Sequence, residues 1–138
     1  MKPIVPGLVF ALLPLAAGAA RADALEECYR KALNRTEVTP CLEAAHKQAA
    51  AEMAAANRRV EAALSDLERN TSVKGLVAAA RQAQASFTPY MSAQCKLVQA
   101  SYASGGGAGQ AGLACEVDLL RARTAELKRL APEPAPKN

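Results

Sequence analysis

Cys28, Cys41, Cys95 and Cys115 divide the chain into intervals of 12, 53 and 19 residues, and whatever fold it adopts must place them. How they constrain it depends on the redox compartment, and the first residues bear on that. MKPIVPGLVFALLPLAAGAARADA carries one lysine, an apolar run from Ile4 to about Ala20, and Ala20 and Ala22 in an A-x-A arrangement. This pattern predicts a secretory signal peptide over residues 1–22, cleaved after Ala22, and a periplasmic or secreted product. Pro6 and Pro14 interrupt a run barely long enough to span a bilayer, so no stable membrane anchor is expected after its removal. Cysteine is absent from the cleavage point, which argues against a lipid-modified N-terminus. An even number of cysteines in an exported chain implies two disulfides. With no C-x-x-C, neither a thioredoxin-type redox motif nor the usual knuckles of a four-cysteine zinc site are expected.

The rest of the chain reads as helix. Alanine occurs 33 times, glycine and proline gather outside the periodic segments, and no stretch alternates like a half-buried strand. A short first helix is predicted from Asp23 to Asn34. RTEVTP then turns the chain, with Thr39 as N-cap and Pro40 at the first helical position, where its missing donor is harmless. A second helix runs from Pro40 to about Arg69, with Leu42, His46, Ala49, Met53, Ala56, Val60, Ala63 and Leu67 as its inward stripe. Spacing that averages 3.5 residues favours long helices packed side by side. A third helix follows Asn70-Thr71-Ser72 with the stripe Val73, Val77, Ala80, Gln84, Phe87, Met91, Gln94 and Val98, and Pro89 predicts a kink or interruption near Thr88. The fourth carries Leu113, Val117, Leu120, Thr124 and Leu127 and ends near Leu130. APEPAPKN is a proline-rich tail without apolar periodicity, expected to be flexible over 132–138. The prediction is an all-α, disulfide-stapled antiparallel bundle of three long helices and one short N-terminal helix, forming one domain over 23–131.

This arrangement bears on the disulfides, for which the sequence alone allows three pairings. If the third helix rises to about Ala103 and the fourth descends from about Gln110, Cys95 and Cys115 lie roughly 12 and 8 Å below the turn at 1.5 Å per residue. A bridge between them needs modest adjustment, and Cys28 to Cys41 likewise links the first helix to the start of the second. These local pairings, Cys28 with Cys41 and Cys95 with Cys115, are favoured over the crossed alternatives because each closes a hairpin without rearranging the bundle. SYASGGGAGQAGLAC, five glycines in fifteen residues, is then a flexible turn held shut by a bridge. It is no phosphate loop: a preceding strand is missing, as is the lysine followed by serine or threonine.

Charge excludes several functions. Without Lys2 and Arg21 the 17 basic residues fall to 15 against 13 acidic ones, leaving +2 on the mature chain. With no basic stripe and no aromatic platform, nucleic acid is not an expected partner. No catalytic, metal-binding or cofactor-binding constellation is apparent, and no cofactor is expected. His46 reads as a packed or edge histidine, since no neighbouring motif supplies ligands. Glu26 and Glu27 are adjacent on a helix and point apart, so they form no acid-base pair.

FTPYMSAQC (Phe87 to Cys95), the glycine turn and CEVDLLRARTAEL (Cys115 to Leu127) resemble the LprI-type lysozyme inhibitor family. Members show W-x-x-Y-R-x-x-x-C, then a second cysteine with threonine, arginine and leucine at fixed offsets. Phe87 stands at the tryptophan place, Tyr90 at the aromatic and Cys95 at the cysteine; Cys115, Arg123 and Leu127 match the second half. Met91 replaces the arginine, Leu120 the threonine, and Met53-Ala54-Ala55-Ala56-Asn57 stands where members carry L-N-x-x-Y. The resemblance implies binding to lysozyme or another peptidoglycan hydrolase and obstruction of its cleavage. Lysozymes of animals are generally basic, so the only favourable charge expected is a local acidic patch around Glu26, Glu27 and Glu43. Phe87 and Tyr90 read as core or disulfide packing in preference to a ligand cage, and Arg123 as a bundle-edge ion pair with a glutamate at least as readily as a partner contact. The alternative to an inhibitor is a general envelope interaction or small-ligand-binding module without catalytic activity.

Overall fold

A computed structural model describes residues 23–102 and 105–131; the expected signal peptide and proline-rich tail lie outside the described residues. The elements are α1 (Ala24–Lys31), a 3-10 turn (Arg35–Glu37), α2 (Val38–Asn70), α3 (Leu76–Ser101) and α4 (Ala108–Leu130), and among the described residues there is no strand. α2, α3 and α4 form an up-down-up bundle, and α1 lies across the start of α2 and the first half of α4. None of these helices is long and apolar enough to cross a membrane.

α4 is the central element. Its Ala111, Gly112, Ala114, Val117, Leu120, Thr124 and Leu127 are all buried. Ala114, Val117 and Leu120 meet Ala24 and Cys28 of α1 and Val38, Leu42 and Ala49 of α2 in one core. Leu127 meets Ala56 and Val60 of α2 in a second. Thr124 satisfies its buried hydroxyl by donating to the Leu120 carbonyl at 2.8 Å. α3 is different in kind, for its one fully buried residue is Cys95.

Two bridges tie the layers together. Cys28 bonds Cys41 with Cα atoms 5.7 Å apart, joining α1 to α2. Cys95 bonds Cys115 with Cα atoms 5.5 Å apart, joining α3 to α4. In the second case the glycines act locally: Gly105–Gly107 make the turn, while Gly109 and Gly112 lie inside α4, which begins earlier than its stripe suggests. Gly112 is buried where α4 crosses α3, and a Cβ there would come within 3.3 Å of the Gln99 Cβ.

Several helix ends differ from their sequence expectations, each for a local reason. α1 stops at Lys31, with Asp23 outside it as N-cap, accepting from the Glu26 amide at 2.7 Å. Thr39 does not cap α2. The fully buried Val38 draws the chain inward two residues earlier, and Glu37 at the cap position turns its carboxylate back to accept from the Leu33 amide at 2.9 Å. Thr39 instead accepts a hydrogen bond from Gln110 Nε2 at 3.2 Å. Pro40 still falls in the first turn, where amides have no intrahelical acceptor to lose.

The α2 stripe holds from Leu42 to Val60, then shifts: Leu64 is half-buried while Ala63 and Leu67 are exposed. A straight α-helix repeats at 3.6 residues and drifts off a 3.5 pattern over that length. α3 begins at Leu76, leaving Val73 exposed in the preceding turn, and runs through Pro89 without interruption. Pro89 and Ala85, whose carbonyl loses its amide partner, are both exposed residues.

Carboxylates from neighbouring helices finish two helix starts. Gly75, with φ of 82°, cannot cap α3 through a side chain, and the Glu68 carboxylate accepts from the amides of Leu76 and Val77. At α1, Asp118 of α4 accepts from the Ala24 amide at 3.0 Å. Burial pushes the Asp118 carboxyl above its usual range; the nearby Asp23 carboxylate adds to this and the Ala24 amide and Arg121 oppose it. Glu27, by contrast, is held below the usual carboxylate range by hydrogen bonds from Lys31 at 2.6 Å and Arg121 at 2.9 Å.

Two predictions follow the geometry. Gly112→Leu, which drives a side chain into Gln99, lowers unfolding stability by about 1–3 kcal/mol, whereas Gly109→Ala, with open space at its Cβ, raises it by about 0.5 kcal/mol. Urea titration of both variants checks the opposite signs. Because the folded state holds the Asp118 proton more tightly than the unfolded one, its contribution to stability falls as pH rises through the interval above the unfolded pKa of about 3.9. Asp118→Asn, which keeps an acceptor for Ala24, therefore gains on the parent chain as pH rises through that interval. Urea midpoints across it should diverge in that direction.

Candidate functional site

Of the four motif positions, the structure gathers three and turns one away. Leu127 is 2% exposed and packs into the second core against Ala56 and Val60. Phe87 and Tyr90 of α3 and Arg123 of α4 line one open groove of about 440 Å³ between the two helices. Ala83 and Ser86 complete its α3 wall, and Leu119, Ala122 and Glu126 its α4 wall.

Helix periodicity builds both walls. Ala83, Ser86, Phe87 and Tyr90 recur at i, i+3, i+4 and i+7, and Leu119, Ala122, Arg123 and Glu126 do the same on α4. The small residues in each row leave the hollow, and the large ones frame it. The inward stripe of α4 passes over Leu119 and Glu126, one position before Leu120 and Leu127, and Ala122, two before Thr124. The signal that finds them is the second, offset row.

Phe87 is half-buried and reaches the first core, so it is both packing residue and groove floor. Its ring centroid lies 6.5 Å from that of Tyr90, tilted by 49°, within the range of favourable aromatic pairs. Tyr90 is 55% exposed. The Arg123 guanidinium carbon stands 5.8 Å from the Phe87 centroid, a cation–π contact of about 0.5–1 kcal/mol. Arg123 Nη1 donates to Glu126 Oε2 at 3.1 Å. Its Nε is buried with no acceptor. The groove thus combines an aromatic pair, an apolar wall and one incompletely satisfied cation.

The other singled-out residues lie elsewhere. The disulfide Cys95–Cys115 sits two turns along α3 from Phe87 and two along α4 from Arg123, fixing the separation of the walls. His46 on α2 faces Glu116 of α4, Nε2 to Oε2 at 3.1 Å, as a half-buried contact between helices. Among the described residues no three His, Cys, Asp or Glu side chains gather to hold a metal ion. Two of the three acidic-patch residues are already paired, and Glu43 is exposed on α2. Glu27 is claimed by Lys31 and Arg121, and Glu26 lies 4.0 Å from Arg30.

Comparison with known proteins bears on this arrangement of bridges and motif residues. No curated protein and no solved structure is matched by the chain. The profile of the family described as lysozyme inhibitor LprI matches residues 20–127, which takes in α1 to α3, α4 as far as Leu127, both bridges and the groove. The chain belongs to the LprI lysozyme inhibitor family.

Proposed function

We propose that the protein is an exported, non-catalytic inhibitor that binds a lysozyme-type peptidoglycan hydrolase and blocks it. The observation that carries this reading is the family match over residues 20–127. Two bridges that require an oxidising compartment agree with export. On this reading residues 1–22 are the signal peptide, and the working protein, periplasmic or secreted, begins at Asp23.

The architecture suits obstruction. A binder loses less entropy when its surface is already ordered, and here both hairpin ends are covalently closed. The bound enzyme would be excluded from its polymer by bulk, with no chemistry required of the inhibitor. With Glu26 and Glu27 paired internally and a net +2 on residues 23–138, association does not rely on long-range attraction to a basic enzyme, and its rate should depend weakly on salt.

Titrating the oxidised chain, residues 23–138, into a lysozyme assay on bacterial cell walls tests the reading. The expected result is saturable one-to-one inhibition that disappears on reduction and alkylation. A folded, oxidised chain without effect at molar excess contradicts it.

A further inference from the structure

We propose that the α3–α4 groove is a carboxylate-binding interaction surface, taking an acidic side chain on an apolar, projecting segment of a partner protein, with Arg123 as the anchoring charge. The proposal rests on the inhibitor reading only for who the partner is. The chemistry of the groove stands independently of it.

The unbound arrangement leaves Arg123 incompletely satisfied. One of its donors reaches Glu126, a half-exposed residue one turn along the same helix, and such a pair holds weakly against a competitor. Nε has no acceptor and is shut away from solvent, a state that carries the desolvation cost of a buried donor. A guanidinium presents its donors as a planar fork suited to a carboxylate. Swinging Arg123 off Glu126 toward an incoming carboxylate exchanges one weak bond for two. Phe87 lies under the guanidinium at 5.8 Å and supports it during the exchange.

The surroundings select for an anion with an apolar carrier. α3 contains Arg81 and Lys96 and no acidic residue. Glu126 is the sole acidic residue lining the groove. Ala83, Leu119 and Ala122 make the walls apolar, so an arriving segment that covers them excludes water and strengthens the ion pair. The hollow receives rather than projects, which requires the partner to supply the protrusion. An exposed tyrosine beside an arginine is also the composition in which binding energy concentrates at protein interfaces.

Amide-resolved NMR on the full oxidised chain tests the proposal, with N-acetyl-L-phenylalaninate as probe and N-acetyl-L-phenylalaninamide as its uncharged counterpart. The acid is expected to shift resonances of Phe87, Tyr90, Leu119 and Arg123 saturably, and the amide to bind about tenfold more weakly. Arg123→Gln should abolish the preference for the acid. Glu126→Gln, which frees Arg123 without touching its charge, should tighten acid binding. That gain is not expected if Arg123 only braces the helix, and it keeps the test available if Arg123→Gln unfolds. Absence of shifts at the groove, equal binding of acid and amide, or weaker binding by Glu126→Gln overturns the proposal.

The lysozyme assay separates the two readings. If the parent chain inhibits and a folded Arg123→Gln inhibits equally, the groove is not the contact surface and the inhibitor reading survives. If the groove binds the acid but the chain does not inhibit, the enzyme reading fails and the carboxylate surface stands.

Discussion

Alanine is the most abundant residue along these helices, and a buried alanine removes little apolar area from water. The packing of α2, α3 and α4 therefore depends on what supplements that area. In the first core the supplement is Val38, Leu42, Val117 and Leu120, together with Cys28. On the α3 side it is the Cys95–Cys115 bridge, since α3 offers no other fully buried side chain. Closing a loop of this length stabilises by about 3 kcal/mol, comparable to burying one or two large aliphatic side chains. The bridge does in covalent form what a broader apolar face would do elsewhere.

Electrostatic finishing follows the same economy. Helix starts are completed from neighbouring helices: Glu68 caps α3, which has no side-chain cap of its own, and Asp118 adds a second acceptor at the start of α1 beside its own cap Asp23. Both carboxylates belong to a neighbouring helix, so each cap is also a tertiary contact. Asn57 and Gln84 tie α2 to α3 by a hydrogen bond of 2.8 Å, and Arg81 and Glu61 pair at 3.1 Å. These polar ties orient α3 where apolar contact is sparse, and they leave its other side free to form the groove with α4.

The class of the fold was legible because alanine-rich stretches carry apolar residues at helical spacing. The α2 stripe from Leu42 to Val60 and the α4 stripe from Leu113 to Leu127 both point inward as their spacing says. Legibility failed at boundaries, where tertiary contact outweighs local preference. Thr39-Pro40 reads as a helix start, but burying Val38 and satisfying Gln110 moves the start upstream and reassigns the threonine. Pro89 reads as a kink or an interruption, and α3 runs through it uninterrupted. At the groove, Phe87, Tyr90 and Arg123 were visible as motif positions, while Glu126 was not. Its part comes from standing next to Arg123 across one turn and beside an α3 that bears no negative charge. Leu127 was visible too, yet faces α2, because a shared motif records spacing along the chain and not which neighbour a side chain meets.

The groove and the bridge are one construction. Cys95–Cys115 sets the separation of α3 and α4, and that separation sets the hollow in which Arg123 meets Phe87. If α3 is held chiefly by the bridge, its removal should loosen α3 before anything else. The most direct measurement is native-state amide hydrogen exchange on a Cys95→Ala/Cys115→Ala chain against the parent. The account predicts that α3 amides lose protection selectively while those in α2 and α4 that surround Leu42, Val117 and Leu120 keep theirs. Loss of protection spread evenly over all three helices, or α3 amides exchanging as slowly as in the parent, would contradict it.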